Sequence, residues 1–147
     1  MNTIVPLISS GVAGPLGVIH LPRLWLKLSL EARGQLASGY PGCGTGFDQM
    51  VIDGLGLQRE TVIDYIKNKR PSYPQFEAWI KSQPGVKLEK ESVEKLNRAI
   101  RGYNHDDDTR RSILGASDIP DDAKAPRDAV GLNNLDDWKE IYEAALK

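Results

Sequence analysis

The apolar residues of this chain recur at intervals of three and four, in stretches that glycine or proline interrupts within about a dozen residues. Leu21, Leu24, Trp25, Leu28, Ala32 and Leu36 form the first series, the spacing of one helix face. Phe47, Met50, Val51 and Leu55 form the second, then Val62, Ile63 and Ile66, then Phe76, Trp79 and Ile80, then Val93, Leu96, Ile100 and Tyr103. No stretch shows the period-two, β-branched pattern of a strand. A chain punctuated in this way predicts an all-α protein, a compact bundle of about six to seven short helices.

The boundaries follow from local chemistry. Pro22 sits where a first helical turn tolerates it, and Gly34 or Gly39 should close that helix. Gly54 and Gly56 close the second, and Arg59 to about Lys69 makes a third, whose Lys67, Lys69 and Arg70 suit the negative end of the helix dipole. Ser72 with Gln75 is a capping box for a fourth helix that Pro84-Gly85 stops. Asp106, Asp107 and Asp108 ahead of Arg110 and Arg111 suit one or two helical turns. Two regions look irregular. Residues 1–19 carry Pro6, Pro15 and three glycines, and 115–134 carry two prolines and two glycines, which reads as a long surface connection. Asn134 would then cap a last helix with Leu135, Trp138, Ile141, Tyr142 and Ala145 inward. Trp25, Trp79 and Trp138 all lie on apolar stripes and are expected in the core.

At 147 residues the chain suits a single domain with its own core. Residues 1–103 carry 13 basic and nine acidic side chains, net +4, and residues 104–147 carry six and 11, net −5. The acidic C-terminal part is therefore expected to fold back over the basic body. The total of −1 argues against a polyanion as main partner. Lys67, Lys69, Arg70 and Tyr73 are the residues a nucleic acid would use, but the dipole already accounts for the basic ones. One Cys excludes a disulfide framework or a multi-thiolate zinc site, and two His with no HxxxH, HExxH or ExxH pair predict no metal. No apolar run reaches the roughly 18 residues of a membrane span, and no basic residue precedes the apolar start as a signal peptide requires. The expected location is the cytoplasm of a microbe. Residues 1–19 are a segment that a second copy could order, giving a homodimer.

Three features carry chemistry. Arg23 and Lys27, four apart after His20, share a helix face, where like charges need an offset; an anionic ligand supplies one, and Glu31, four residues on, supplies another. The loop Gly42-Cys43-Gly44-Thr45-Gly46 precedes a helix, so its backbone N–H groups can converge on an anion. It follows a helix and not a strand, so it is no dinucleotide or Walker fingerprint, and a tight turn with Thr45 or Asp48 as cap explains it equally. Cys43 near a helix start, with His20 or His105 as base, is a weaker nucleophile candidate than an incidental thiol.

The run Leu21-Pro22-Arg23 with Lys27, then Gly34-x-Leu36, Tyr40, Gly46-Phe47-Asp48 and Gly54-Leu55-Gly56, resembles the DUF5069 family of small, largely uncharacterised bacterial proteins. Asn97 and Gly102-Tyr103 resemble its later part, with Leu96 where an aromatic residue is expected. The resemblance covers residues 17–108, leaving 109–147 as an acidic C-terminal extension. It implies a helical, soluble protein and supplies no reaction. It also implies that Arg23, Lys27, Tyr40 and Asp48 lie in one site.

The function expected on this reading is a cofactor-independent enzyme, a lyase or isomerase acting on a small carboxylate or phosphate. Arg23, Lys27, Gly44, Gly46 and Asn97 would bind the anion, and Asp48 or His20 would move a proton with Tyr40 as acid or orienter. The alternative is a non-catalytic module that uses the same basic cluster to bind a metabolite or an acidic segment of a protein.

Overall fold

A computed structural model describes residues 2–147. Seven α-helices account for the regular structure of these residues: α1 Leu21–Ala32, α2 Phe47–Leu55, α3 Arg59–Lys69, α4 Tyr73–Lys81, α5 Lys90–Arg101, α6 Asp107–Ala116 and α7 Ala129–Ile141. A single π-helical turn, Tyr142–Leu146, prolongs α7. β-type pairing is confined to three isolated bridges among the described residues, at Ile4 with Leu36, Ala13 with Ile19 and Asn104 with Asp128. The fold is all-α.

The apolar stripes read from the sequence meet in one core. Leu21, Leu24 and Leu28 of α1 pack with Val51, Ile52 and Leu55 of α2, Val62 and Ile66 of α3, Phe76 and Ile80 of α4, and Leu96 and Ile100 of α5. α2 and α5 approach closely at Gly54, where an added Cβ would lie 2.7 Å from the Leu96 side chain. A smaller cluster of Leu114, Ala125 and Leu132 ties α6, the following connection and α7 together.

The capping box forms as expected: the Ser72 hydroxyl accepts from Gln75 N–H, and the Gln75 side chain accepts from Ser72 N–H. The C-terminal third departs from expectation. α6 runs ten residues, with Asp106 as its cap. α7 begins at Ala129 and its cap is Asp128, whose carboxylate accepts from Gly131 N–H at 2.8 Å, not Asn134. The connection therefore shrinks to residues 117–128. Trp138 and Tyr142 are more than half exposed instead of inward. Asp137 occupies the buried face of α7 because it pairs with Arg23 of α1, and one residue further on the helix turns by about 100° and carries Trp138 outward. Trp25 and Trp79 do pack against the core. Tyr103, expected inward on α5, is half exposed just beyond the helix end.

Candidate functional site

α1 presents Arg23 and Lys27 on one face, four residues apart, and His20 stands at its N-terminal cap beside them. The same face receives the loop 39–46, the first turn of α2 and, from α7, Ala129, Asn133 and Asp136. Between them lies a cleft of about 330 Å³, also lined by Tyr40, Phe47, Asp48, Tyr103 and His105. That is the lower end of small-molecule pocket sizes. Of the residues singled out in the sequence, His20, Arg23, Lys27, Tyr40, Gly44, Gly46 and Asp48 all line it. Asn97 does not. Its amide accepts from Ile19 N–H and donates to Gly17 O, so it holds the backbone just before His20 and binds nothing in the cleft.

Asp48 is the hub. Its Oδ1 lies 2.6 Å from His20 Nε2, and its Oδ2 accepts from Lys27 Nζ at 2.5 Å and from Gly44 N–H at 2.7 Å. Lys27 therefore finds its counter-charge in Asp48 and not in Glu31, whose carboxylate accepts from Gly42 N–H instead. Neither Thr45 nor Asp48 caps α2, which starts at Gly46 without a side-chain cap. Burial opposes ionisation of Asp48, but the His20 hydrogen bond and the Lys27 charge outweigh it and lower its carboxyl to about 2. An ionised Asp48 only accepts, so His20 Nε2 carries the proton. Burial lowers the His20 imidazole below its ordinary value, against the pull of Asp48, and keeps it neutral. Its Nδ1 then accepts from the Ser10 hydroxyl at 2.9 Å. His20 also sits in the left-handed region at φ 70°, a conformation of order 1 kcal/mol above the ordinary wells for a non-glycine residue.

The second buried pair joins α1 to α7. Arg23 donates to both carboxylate oxygens of Asp137, at 2.6 and 3.0 Å, and to the carbonyls of Pro6 and Ile8. Tyr40 donates its hydroxyl to Asp137 at 2.8 Å and stacks its ring 5.8 Å from the Arg23 guanidinium. Burial and Asp137 push the Tyr40 phenol up, so it holds its proton. Arg23 thus clamps the N-terminal segment and α7 onto α1. Arg59, unremarked in the sequence, locks the glycine loop by donating to Cys43 O, Gly44 O and Gln49.

Cys43 loses its proposed bases. Both His20 nitrogens are engaged, His105 Nε2 bonds Asn133, and burial raises the thiol. Tyr73 turns its hydroxyl to Glu77 and packs on Trp25. Among the described residues no three His, Cys, Asp or Glu side chains converge as a metal-ligand set, and no helix is long and apolar enough to cross a membrane. Ser10, Asn133, Asp136 and Asp137 carry no signal for the site in the sequence; Phe47 and Tyr103 enter there only as stripe and motif residues, and His105 only as a base for Cys43. Only the opposite charges of body and tail pointed toward α7, and they name no particular aspartate.

The titration directions predict an acid-labile fold. Asp48 has a folded value of about 2 against an ordinary 3.8, so its contribution is present above 3.8 and lost as pH falls through 2; that difference corresponds to about 2–3 kcal/mol. The folded His20 value lies below the ordinary 6.5, so on acidification the unfolded chain takes that proton first. Stability is then full above about 6.5 and declines below it, by at most about 1.4 kcal/mol per pH unit. Urea unfolding at pH 7.5, 6 and 5 should show this decline, and His20→Gln should flatten it. An unchanged slope in the variant would remove His20 as its source.

No protein-family model matches the chain, and no curated protein does.

Proposed function

We propose that the cleft between α1, the glycine loop and α7 binds a small anionic molecule, a carboxylate or phosphate. The observation that carries this reading is the convergence on one cavity of the buried Lys27 ammonium with the uncapped start of α2. Lys27 has three donors, of which Asp48 takes one. The first N–H groups of α2 lack a side-chain partner and carry the positive end of the dipole. Arg59 holds the loop ahead of them in place, so the donors are preorganised. The left-handed backbone of His20 at the same cleft is the kind of strain that persists where geometry serves a site. Arg23, Lys27, Tyr40 and Asp48, the residues expected together in one site, all line this cleft.

Of the two uses of such a site, binding is favoured over proton transfer. His20 has a partner on each nitrogen, both oxygens of Asp48 accept from buried donors, and the Tyr40 hydroxyl is engaged by Asp137. A lyase or isomerase would have to break one of these bonds before moving a proton. The metal-free enzyme is therefore the second reading, and it requires substrate to displace Lys27 or Ser10.

Ligand binding to the folded state alone raises thermal stability with concentration. Wild type should show such shifts in a panel of small carboxylates and phosphates. Gly46→Asp puts a carboxylate at the start of α2, where an added Cβ meets no heavy atom within 4 Å. This variant should lose the shifts, each measured against its own ligand-free melting temperature. Equal shifts in wild type and Gly46→Asp would sink the anion reading.

A further inference from the structure

The inference concerns the cleft just described and rests on that reading. Asp136 lines the same cavity from α7, on the face it shares with Ala129 and Asn133. Its neighbour Asp137 has Arg23, Tyr40 and full burial. Asp136 has none of these. It is half-buried and, among the described residues, makes no hydrogen bond or ion pair. Burial, with Glu140 and Asp137 close by, raises its carboxyl because no cation sits near enough to offset them. Glu140 is one turn away on α7, and Lys139 and Arg23 contribute only weakly against it. The cleft thus offers the remaining Lys27 donors and the N–H groups at the start of α2 on one side, and an uncompensated carboxylate on α7 on the other.

A purely anionic ligand would enter against that carboxylate. A ligand with an ammonium would satisfy it. The remaining wall is aromatic: Phe47 meets Tyr103 edge to face at 5.8 Å, and Tyr103 meets His105 at 6.4 Å. Half of Tyr103 is exposed, so its ring is open to apolar contact or to a cation over its face.

We infer that the cleft is built for a zwitterion, an α-amino acid whose carboxylate meets Lys27 and the start of α2 and whose ammonium meets Asp136. The side chain of the amino acid lies against Phe47 and Tyr103. Of the two charged contacts, the one to Asp136 distinguishes an amino acid from a simple acid of the same shape.

Isothermal titration of the full chain with matched probes tests this. L-Phenylalanine is compared with 3-phenylpropionate, which lacks the amine, and with 2-phenylethylamine, which lacks the carboxylate; L-alanine and propionate form a smaller pair. At least one amino acid should bind about tenfold or more tightly than its deaminated acid, the scale of one desolvated charge-assisted contact. In Asp136→Asn that ratio should fall to near one. Asp136 breaks no pair on substitution, so its variant should melt like wild type. Acids that bind as tightly as the amino acids would overturn the zwitterion and leave the anion site standing. 2-Phenylethylamine binding as tightly as L-phenylalanine would overturn both, whereas no binding by any of these probes would overturn the zwitterion. A preference for the amino acid that survives Asp136→Asn would overturn the role given to Asp136.

Discussion

Replacing Arg23 with Met is expected to destabilise the protein by about 3–5 kcal/mol, the range for breaking a buried ion pair by removing one partner. The Arg23 and Asp137 side chains are 7% and 5% exposed, so Asp137 would be left charged and dry. Tyr40 would be its one remaining donor, and the carbonyls of Pro6 and Ile8 would lose theirs. Against the roughly 7–20 kcal/mol typical of a chain this long, the loss is a large fraction. Arg23→Lys should recover little, because an ammonium cannot span both carboxylate oxygens and two carbonyls. Arg23→Met combined with Asp137→Leu should recover much of it, since an apolar pair of similar volume leaves no orphaned charge. Urea midpoints of the three variants decide the matter. A loss below about 1 kcal/mol in Arg23→Met would mean that α7 is not clamped through this pair.

Asp48→Asn is expected to be as severe, again about 3–5 kcal/mol, although it changes one atom. Three donors converge on this carboxylate: His20 Nε2–H, Lys27 Nζ and Gly44 N–H. An amide offers them one acceptor and sets its own N–H groups against the others. Lys27, 6% exposed, would keep its charge without a counter-ion. Adding Lys27→Met should relieve part of the loss by removing that charge. If Asp48→Asn alone unfolds at the wild-type urea concentration, the hub is not structural and Asp48 is free to act on a ligand, which would restore the proton-transfer reading.

The helices were largely legible because each rests on local rules. The 3.6-residue period, Pro22 in a first turn, the box of Ser72 and Gln75, and Gly56 at the end of α2 depend on neighbours within a few residues, whereas Gly54, expected to help close α2, lies inside it against Leu96 of α5. α7 was misjudged where those rules compete. Asp128 and Asn134 are both good caps, and the apolar series from Leu135 favoured the later one. Ala129 and Leu132, buried at 1% and 0% exposure, pull the start back to Asp128.

The site divides in the same way. Arg23 and Lys27 share a face because of helix geometry, His20 stands at the cap beside them, and the glycine loop lies next to α2 in the chain, so their grouping followed from spacing. Their partners did not. Glu31 stands one turn from Lys27, yet Lys27 pairs with Asp48, 21 residues away; Arg23 pairs with Asp137, 114 residues away. A surface pair one turn apart contributes only a few tenths of a kcal/mol, whereas an unpaired buried charge costs several. Desolvation therefore chooses the partner, and desolvation exists only once the helices have packed. The order of short helices, their caps and the basic face of α1 were local properties of the chain. Which carboxylate neutralises each cation, and which one, Asp136, is left without a partner in the cleft, was settled by tertiary packing alone.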